Sequence, residues 1–215
     1  HDNVGYIHLV DFSKKTEGDL YQALTELKNQ NVEGIIIDLR NNPGGLLDQA
    51  VKVVEMFVGA DKVVVKTKGK TQQMYHEWLT EGEQIYNGKL AVLVNRGSAS
   101  ASEIVAGAIQ DYNRGVIAGE STYGKGTVQT VLDLKRFINE KEDVGELKLT
   151  FQKFYRVTGS STQNKGVTPD IILPSALDSK QYGESSNLSA LPWDVINSTP
   201  FKKASDINSK VLAGL

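Results

Sequence analysis

The sequence has no cysteine and three histidines, at positions 1, 8 and 76. Without cysteine there can be no disulfide, no thiolate zinc site and no cysteine nucleophile. The absence fits an oxidising compartment without requiring one. No histidine lies in a motif or has a metal-binding spacing such as His-Glu-x-x-His. Any acid–base or nucleophilic chemistry must therefore use other side chains, and we expect neither a metal nor another cofactor.

Excess charge and long apolar segments are also missing. The 24 Lys and Arg residues nearly balance 26 Asp and Glu residues, which argues against a nucleic-acid partner because phosphate binding needs a basic excess. No apolar run approaches the 18 residues that a membrane-spanning helix requires, and no signal peptide is present. Since His1 directly precedes a strand-like segment, we expect the chain to be an excised part of a longer protein.

Strands and helices alternate through the first 120 residues. This pattern predicts an α/β fold of βα units around a mostly parallel sheet. The residues Gly34 to Leu39 form a β-branched run that is typical of a strand buried on both faces. Ser13 or Thr16 is available to cap the first helix. The predicted strands are 4–10, 34–39, 62–66, 90–94 and 115–119, and the predicted helices are 20–27, 46–57 and 99–111.

The remaining segments are of a different kind. Residues 69–89 form a long polar excursion, and from Lys125 onward the pattern becomes β-rich. Residues 175–215 are polar and serine-rich, with an apolar anchor at Leu191, Pro192 and Trp193. We therefore expect a core over residues 1–174 and a C-terminal extension that packs through this anchor. The extended segments in the β-rich part are 128–134, 147–157 and 170–173.

A candidate nucleophile lies at the junction between the strand 90–94 and the following helix. Ser100 is placed where its hydroxyl lies near the positive end of the helix. Free N–H groups at such a position can stabilise an oxyanion. Ala101 would supply one N–H, and the loop residue Gly44 or Gly45 would supply another, because glycine lets the backbone approach a reacting carbonyl closely.

The same segment has a purely structural interpretation. Ser-x-x-Glu at a helix start is a capping box, and Ser100 with Glu103 fits it. Serines at this position are usually caps. The two interpretations are compatible, since Ser98 could cap the helix while Ser100 stays free.

Lys125 is the candidate base, since no histidine is suitable. To act as a base, the lysine must be neutral near pH 7. This requires its pKa to fall from about 10.4 to about 7, a shift that costs about 4.6 kcal/mol. Burial can supply this shift, and the sequence neighbours of Lys125 are small or apolar. The alternative is that Lys125 is solvated and charged, as an isolated lysine ordinarily is. The pattern from Gly119 to Lys125 also resembles a phosphate-binding loop, but Gly126 replaces the required Ser or Thr and an extended segment replaces the helix.

Several motifs together closely resemble the C-terminal processing (tail-specific) serine proteases. Three of them, at residues 151–156, 165–171 and 190–194, look like the long subgroup that is located in the bacterial envelope. The resemblance covers residues 4 to about 197. The motifs are residues 36–45, 95–103, 119–120, 124–129, 151–156, 165–171 and 190–194.

The resemblance implies a Ser–Lys protease with a crotonase-like (ClpP-like) core. By position, Ser100 is the nucleophile, and Lys125 is the general base and then the acid for the leaving amine. Gln129 matches the residue that orients the lysine. Four residues along a strand span about 13 Å, so Gln129 reaches Lys125 only if the backbone turns near Gly126. Asp111 lies about 16 Å down the helix from Ser100, and we expect a structural role for it.

The implied function is cleavage of protein substrates recognised by nonpolar C-terminal tails, in the periplasm or cell envelope. The family carries a PDZ domain for tail binding, and no PDZ carboxylate-binding loop is present here. We therefore expect that domain as a partner in the full-length chain and weak or absent activity without it. The resemblance leaves room for a membrane-anchored adaptor, and the oligomeric state is open. The alternative function is a non-catalytic binding module for hydrophobic ligands or peptides on the same scaffold.

Overall fold

The computed structural model describes residues 3–136, 145–175 and 182–204. Its strands fall into a parallel and an antiparallel sheet, and the α-helices of the described residues lie between residues 16 and 111. The helices are α1 (Thr16–Asn29), α2 (Leu47–Val58) and α3 (Ala101–Asp111). The strands are β1 (Val4–His8), β2 (Gly34–Asp38), β3 (Val63–Lys68), β4 (His76–Leu79), β5 (Lys89–Val94), β6 (Val116–Gly119), β7 (Thr127–Asp133), β8 (Glu146–Tyr155) and β9 (Ile171–Ile172).

The parallel sheet has the order β1-β2-β5-β6-β9 and confirms the predicted α/β architecture. Its second strand carries the isoleucine run, and Ile35 and Ile37 are almost completely buried. On α2 the apolar residues Val53, Val54 and Phe57 are buried in the same core. The carboxyl ends of β2 and β5 lead into neighbouring loops, which is where open parallel sheets place their binding sites.

The antiparallel sheet has the order β4-β3-β8-β7 and confirms the β-rich second half. The prediction of a strand over 62–66 is shifted, because β3 continues to Lys68. The polar excursion 69–89 contains β4, which pairs with β3. The predicted segment 170–173 is shorter than expected, and as β9 it joins the parallel sheet beside β6.

The predicted cap of α1 is wrong. Lys15 occupies the cap position and no side chain caps the helix there. Thr16 is the first helical residue, and its hydroxyl oxygen accepts a hydrogen bond from the Ser13 N–H at 2.9 Å.

The segment 182–204 lies against the core. Trp193 donates from Nε1 to the Ser161 carbonyl at 2.8 Å, and the Lys165 ammonium lies 3.4 Å from the centre of the Trp193 ring. Farther along, the buried Lys66 ammonium donates to the Asn197 carbonyl at 2.5 Å. The division of the chain at residue 174 stays a prediction. Among the described residues no helix is both long and apolar enough to cross a bilayer.

Candidate active site

The turn between β5 and α3 holds Ser100 in an unusual backbone conformation. Its φ is 56° and its ψ is −112°, immediately before the first helical residue, Ala101. A positive φ is uncommon outside glycine, and such a residue stores about 1–3 kcal/mol of strain. A sharp strand–turn–helix junction of this kind presents a serine hydroxyl at the end of a sheet.

The neighbouring serines are engaged elsewhere. Ser98 and Ser102 are fully buried. The Ser98 hydroxyl donates to the Leu39 carbonyl at 2.7 Å, and the Ser102 hydroxyl donates to the Asn42 carbonyl at 3.0 Å. These bonds tie the turn to the loop that follows β2. Of the three serines, Ser100 is the one that lines a cleft.

That cleft, with a volume of about 330 Å³, brings together most of the predicted site residues. Ser100, Ala101, Gly45, Lys125 and Gln129 all line it. Much of the remaining wall is apolar, which suits a nonpolar side chain of a ligand. The apolar lining residues are Leu46, Leu47, Ile104, Val128 and Phe154.

The two candidate glycines differ in their hydrogen bonds. Gly44 is buried, and its N–H donates to the Asn42 Oδ1 at 2.9 Å. Gly45 is exposed to the cleft. Among the residues that the structure describes, neither the Gly45 N–H nor the Ala101 N–H has an acceptor. Because a Cβ at position 45 would clash with the Phe12 carbonyl, only glycine fits there.

Lys125 is half-buried beside the cleft. Burial lowers the pKa of Lys125 and the charge of Lys148 lowers it further, while the charges of Glu184 and Glu103 act in the opposite direction. The backbone next to it is fixed, since the Gly126 N–H donates to a buried glutamine side chain at 2.8 Å. A lowered pKa makes the neutral amine, the form that accepts a proton, more accessible.

Glu103 connects the serine turn with the lysine loop, a role that the sequence does not reveal. Its fully buried carboxylate accepts from the Ser100 N–H and the Lys125 N–H at 2.9 Å each. It also accepts from the Thr122 hydroxyl at 2.6 Å and from the Gly124 N–H at 2.7 Å. Burial raises the pKa of Glu103 to about 7, although these hydrogen bonds oppose the rise. The Glu103 half of the predicted capping box is confirmed, because this carboxylate accepts from the Ser100 N–H, and the carboxylate does more than cap.

Gln129 and Asp111 have other partners in this structure. The Gln129 amide nitrogen donates to the Thr150 hydroxyl at 3.3 Å. The β7–β8 register is irregular between residues 128 and 129, so the backbone departs from a regular strand there. The lysine-orienting role of Gln129 stays a prediction. Asp111 pairs with Arg156 at 2.6 Å at the end of α3, which agrees with the structural role expected for it.

A second cluster that the sequence analysis missed holds the start of the glycine loop. Asp38 ends β2 and accepts from Arg40 Nη2 at 2.7 Å and from the Tyr6 hydroxyl at 2.6 Å. Burial opposes ionisation of Asp38, but these hydrogen bonds outweigh it and lower the pKa of Asp38 to about 2. The cluster therefore anchors the chain just before Gly44 and Gly45. Among the described residues no group of three or more acidic or histidine side chains could hold a metal ion.

Comparison with known proteins agrees with this geometry. The model of peptidase family S41 matches residues 3–173. A tail-specific protease of Haemophilus influenzae is 42% identical over 207 residues, covering 96% of this chain and 30% of that protein. A carboxy-terminal-processing protease of Bartonella bacilliformis is 39% identical over 186 residues, covering 84% and 41% respectively.

A solved structure shows the same likeness. The photosystem II D1 C-terminal processing protease superposes with a TM-score of 0.70 at 37% identity, covering 87% of this chain and 47% of that one. The chain thus spans between 30% and 47% of the length of these proteins. With its core, its serine turn and most of its length matched, the chain belongs to peptidase family S41.

Proposed function

We propose that this chain is the catalytic core of a serine endopeptidase that uses a Ser–Lys pair. The observation that carries the proposal is the shared cleft. Ser100 and a half-buried Lys125 line it together with Ala101 and Gly45, whose N–H groups have no acceptor among the described residues. The match to an S41 model over residues 3–173 supports the reaction class.

The proposed reaction has two stages. Ser100 Oγ attacks the carbonyl carbon of the scissile peptide bond while the neutral Lys125 amine takes the hydroxyl proton. The N–H groups of Ala101 and Gly45 stabilise the resulting oxyanion. The ammonium of Lys125 then gives its proton to the leaving amine, and water hydrolyses the acyl-enzyme through the same base.

The non-catalytic alternative requires an exposed, charged Lys125. The half-burial of this residue and its lowered pKa favour the peptidase instead. In the peptidase, the strain at Ser100 also has a use, because the strained backbone conformation belongs to a residue that lines the cleft, where such strain is typical of active sites.

The proposed substrates are proteins with nonpolar C-terminal tails. The apolar wall of the cleft suits such residues. An extended peptide has a place to bind, because β7 ends its sheet and residues 127–129 line the cleft. From the resemblance we further propose that a PDZ domain of the full-length chain captures the tail and that the enzyme acts in the bacterial envelope. A membrane-anchored adaptor is a further candidate partner.

The test is peptide and protein cleavage by the full-length protein. Ser100→Ala and Lys125→Ala should each abolish turnover of a substrate with a nonpolar tail. Lys89→Ala is the matched control, because Lys89 is exposed and lies outside the cleft. Normal turnover by either of the first two variants would refute the assignment.

A further inference from the structure

The ionisable side chains that line the cleft are basic. Among the described residues that line it, the charged side chains are Lys125 and Lys148, and no carboxylate is present. Because the proposed mechanism uses a neutral Lys125, Lys148 is the cation that a ligand meets there, and a cation in a partly apolar site favours an anionic group of the ligand.

Lys148 is directed toward the cleft by the strand register. It pairs with Val131 in the β7–β8 ladder, and the pair two positions along is Gln129 with Thr150. Directly opposed residues and their second neighbours share one face of a sheet. Lys148 therefore lies on the face that carries Gln129, which also lines the cleft.

Lys148 also has an ammonium group available for a ligand. It is exposed, and it forms no salt bridge with any residue that the structure describes. In contrast, Lys153 on the same strand pairs with Asp194. Because it lines the same cleft as the proposed nucleophile and has no ion pair among the described residues, Lys148 is available to bind a ligand there.

We propose that Lys148 is a specificity-determining residue that binds a carboxylate of the substrate within a few residues of the scissile bond. The inference rests on the proposed peptidase function. The carboxylate is either an Asp or Glu side chain or the free C-terminus of the substrate, since both offer the same chemistry.

The effect on Lys125 supports this role. The positive charge of Lys148 helps to lower the pKa of Lys125, and a substrate carboxylate near Lys125 would have the opposite effect. When Lys148 binds that carboxylate, the two charges offset one another. An acidic substrate can then enter without protonating the proposed base.

The experiment uses the full-length protein and a set of peptides with a nonpolar tail. Glu is exchanged for Gln at each of three positions on either side of the cleavage site, and every peptide is made with a free and an amidated C-terminus. The values of kcat/KM are compared for the wild type, Lys148→Gln and Lys148→Glu, with Lys89→Gln as the control outside the cleft.

We expect the wild type to prefer one carboxylate-bearing peptide by about fivefold, the size of an exposed ion pair. Lys148→Gln should abolish this preference, and Lys148→Glu should reverse it. Loss of the preference on Glu→Gln exchange identifies a side chain, and loss on amidation identifies the C-terminus.

An unchanged preference in Lys148→Gln, with cleavage still dependent on Ser100, would overturn this inference and leave the peptidase assignment standing. If no peptide were cleaved in a Ser100-dependent manner, the proposed function and this inference would both be overturned.

Discussion

Replacing Glu103 by glutamine tests whether one buried carboxylate positions both halves of the proposed catalytic pair. Glutamine keeps one acceptor oxygen and replaces the other by an NH₂ donor. The less costly orientation of the glutamine amide puts its NH₂ group on the side of Thr122 and Gly124. The Thr122 hydroxyl can accept from this NH₂ group, but the Gly124 N–H loses its acceptor. A buried donor without a partner costs about 1–3 kcal/mol, out of about 5–15 kcal/mol for a typical domain.

The catalytic loss should exceed the loss of stability. Gly124 directly precedes Lys125, so loosening this loop displaces the proposed base. A misplacement of about 1 Å can reduce the rate by about 100-fold. We therefore expect Glu103→Gln in the full-length protein to lower kcat by about 100-fold with little change in KM, measured by single-turnover peptide hydrolysis beside thermal unfolding.

Glu55→Gln is the matched control. Glu55 is also a buried carboxylate on a helix, and it accepts from the Glu81 N–H and from Lys52, outside the cleft. Its replacement should lower stability and leave kcat unchanged. If the folded Glu103→Gln variant turned over within twofold of the wild type, the positioning role would be wrong.

Three further predictions concern single positions. Gly45→Ala should lower kcat/KM by at least 100-fold, since the new methyl group displaces an oxyanion donor, whereas Gly18→Ala, with open space around its Cβ, should stabilise the fold by about 0.5–1 kcal/mol. Wild-type activity in Gly45→Ala would contradict the first expectation, and a lower melting temperature in Gly18→Ala would contradict the second. Because the pKa of Lys125 lies below its ordinary value of 10.5, kcat/KM should rise with pH to a midpoint below 10.5, and a midpoint at or above that value would exclude Lys125 as the base. Asp38 is more acidic in the fold, with a pKa of about 2 against 3.8, so its ionised form stabilises the protein above about pH 4. The stability difference between wild type and Asp38→Asn should shrink as the pH falls from about 5 to 2 in denaturant titrations, and a constant difference would argue against it.

The local sequence pattern was sufficient to predict the strands of the parallel sheet. It was insufficient for elements whose structure depends on residues that are distant in the sequence. The isoleucines of β2 identify a strand buried on both faces without knowledge of its neighbours. Strand β4, by contrast, is four residues within a polar stretch, and its extended state depends on pairing with β3. The start of α1 fails for a similar reason, because the Glu17 N–H is satisfied by the Gln49 side chain of α2 at 3.0 Å rather than by a local hydroxyl.

In the candidate active site, too, some residues were predicted from the sequence and others were recognised only in the structure. Ser100 and Lys125 were predicted from their motifs and the family resemblance. The difference between Gly44 and Gly45 appears only when the Asn42 side chain is seen to accept from the first. The Glu103 carboxylate accepts four hydrogen bonds, and the capping-box spacing predicted one of them, the bond from the Ser100 N–H. A charged residue directly before the apolar run 104–109 of α3 was the available sign that it had partners elsewhere.

The buried ammonium of Lys66 has a consequence for the length of chain that the fold needs. Its acceptors are the carbonyls of Val157 and Asn197, and burial lowers the pKa of Lys66. If the polypeptide were shortened to end before Asn197, this buried cation would lose the shorter of these two hydrogen bonds and keep the one to the Val157 carbonyl, at 3.4 Å. A stable truncated form therefore has to retain the chain as far as Asn197.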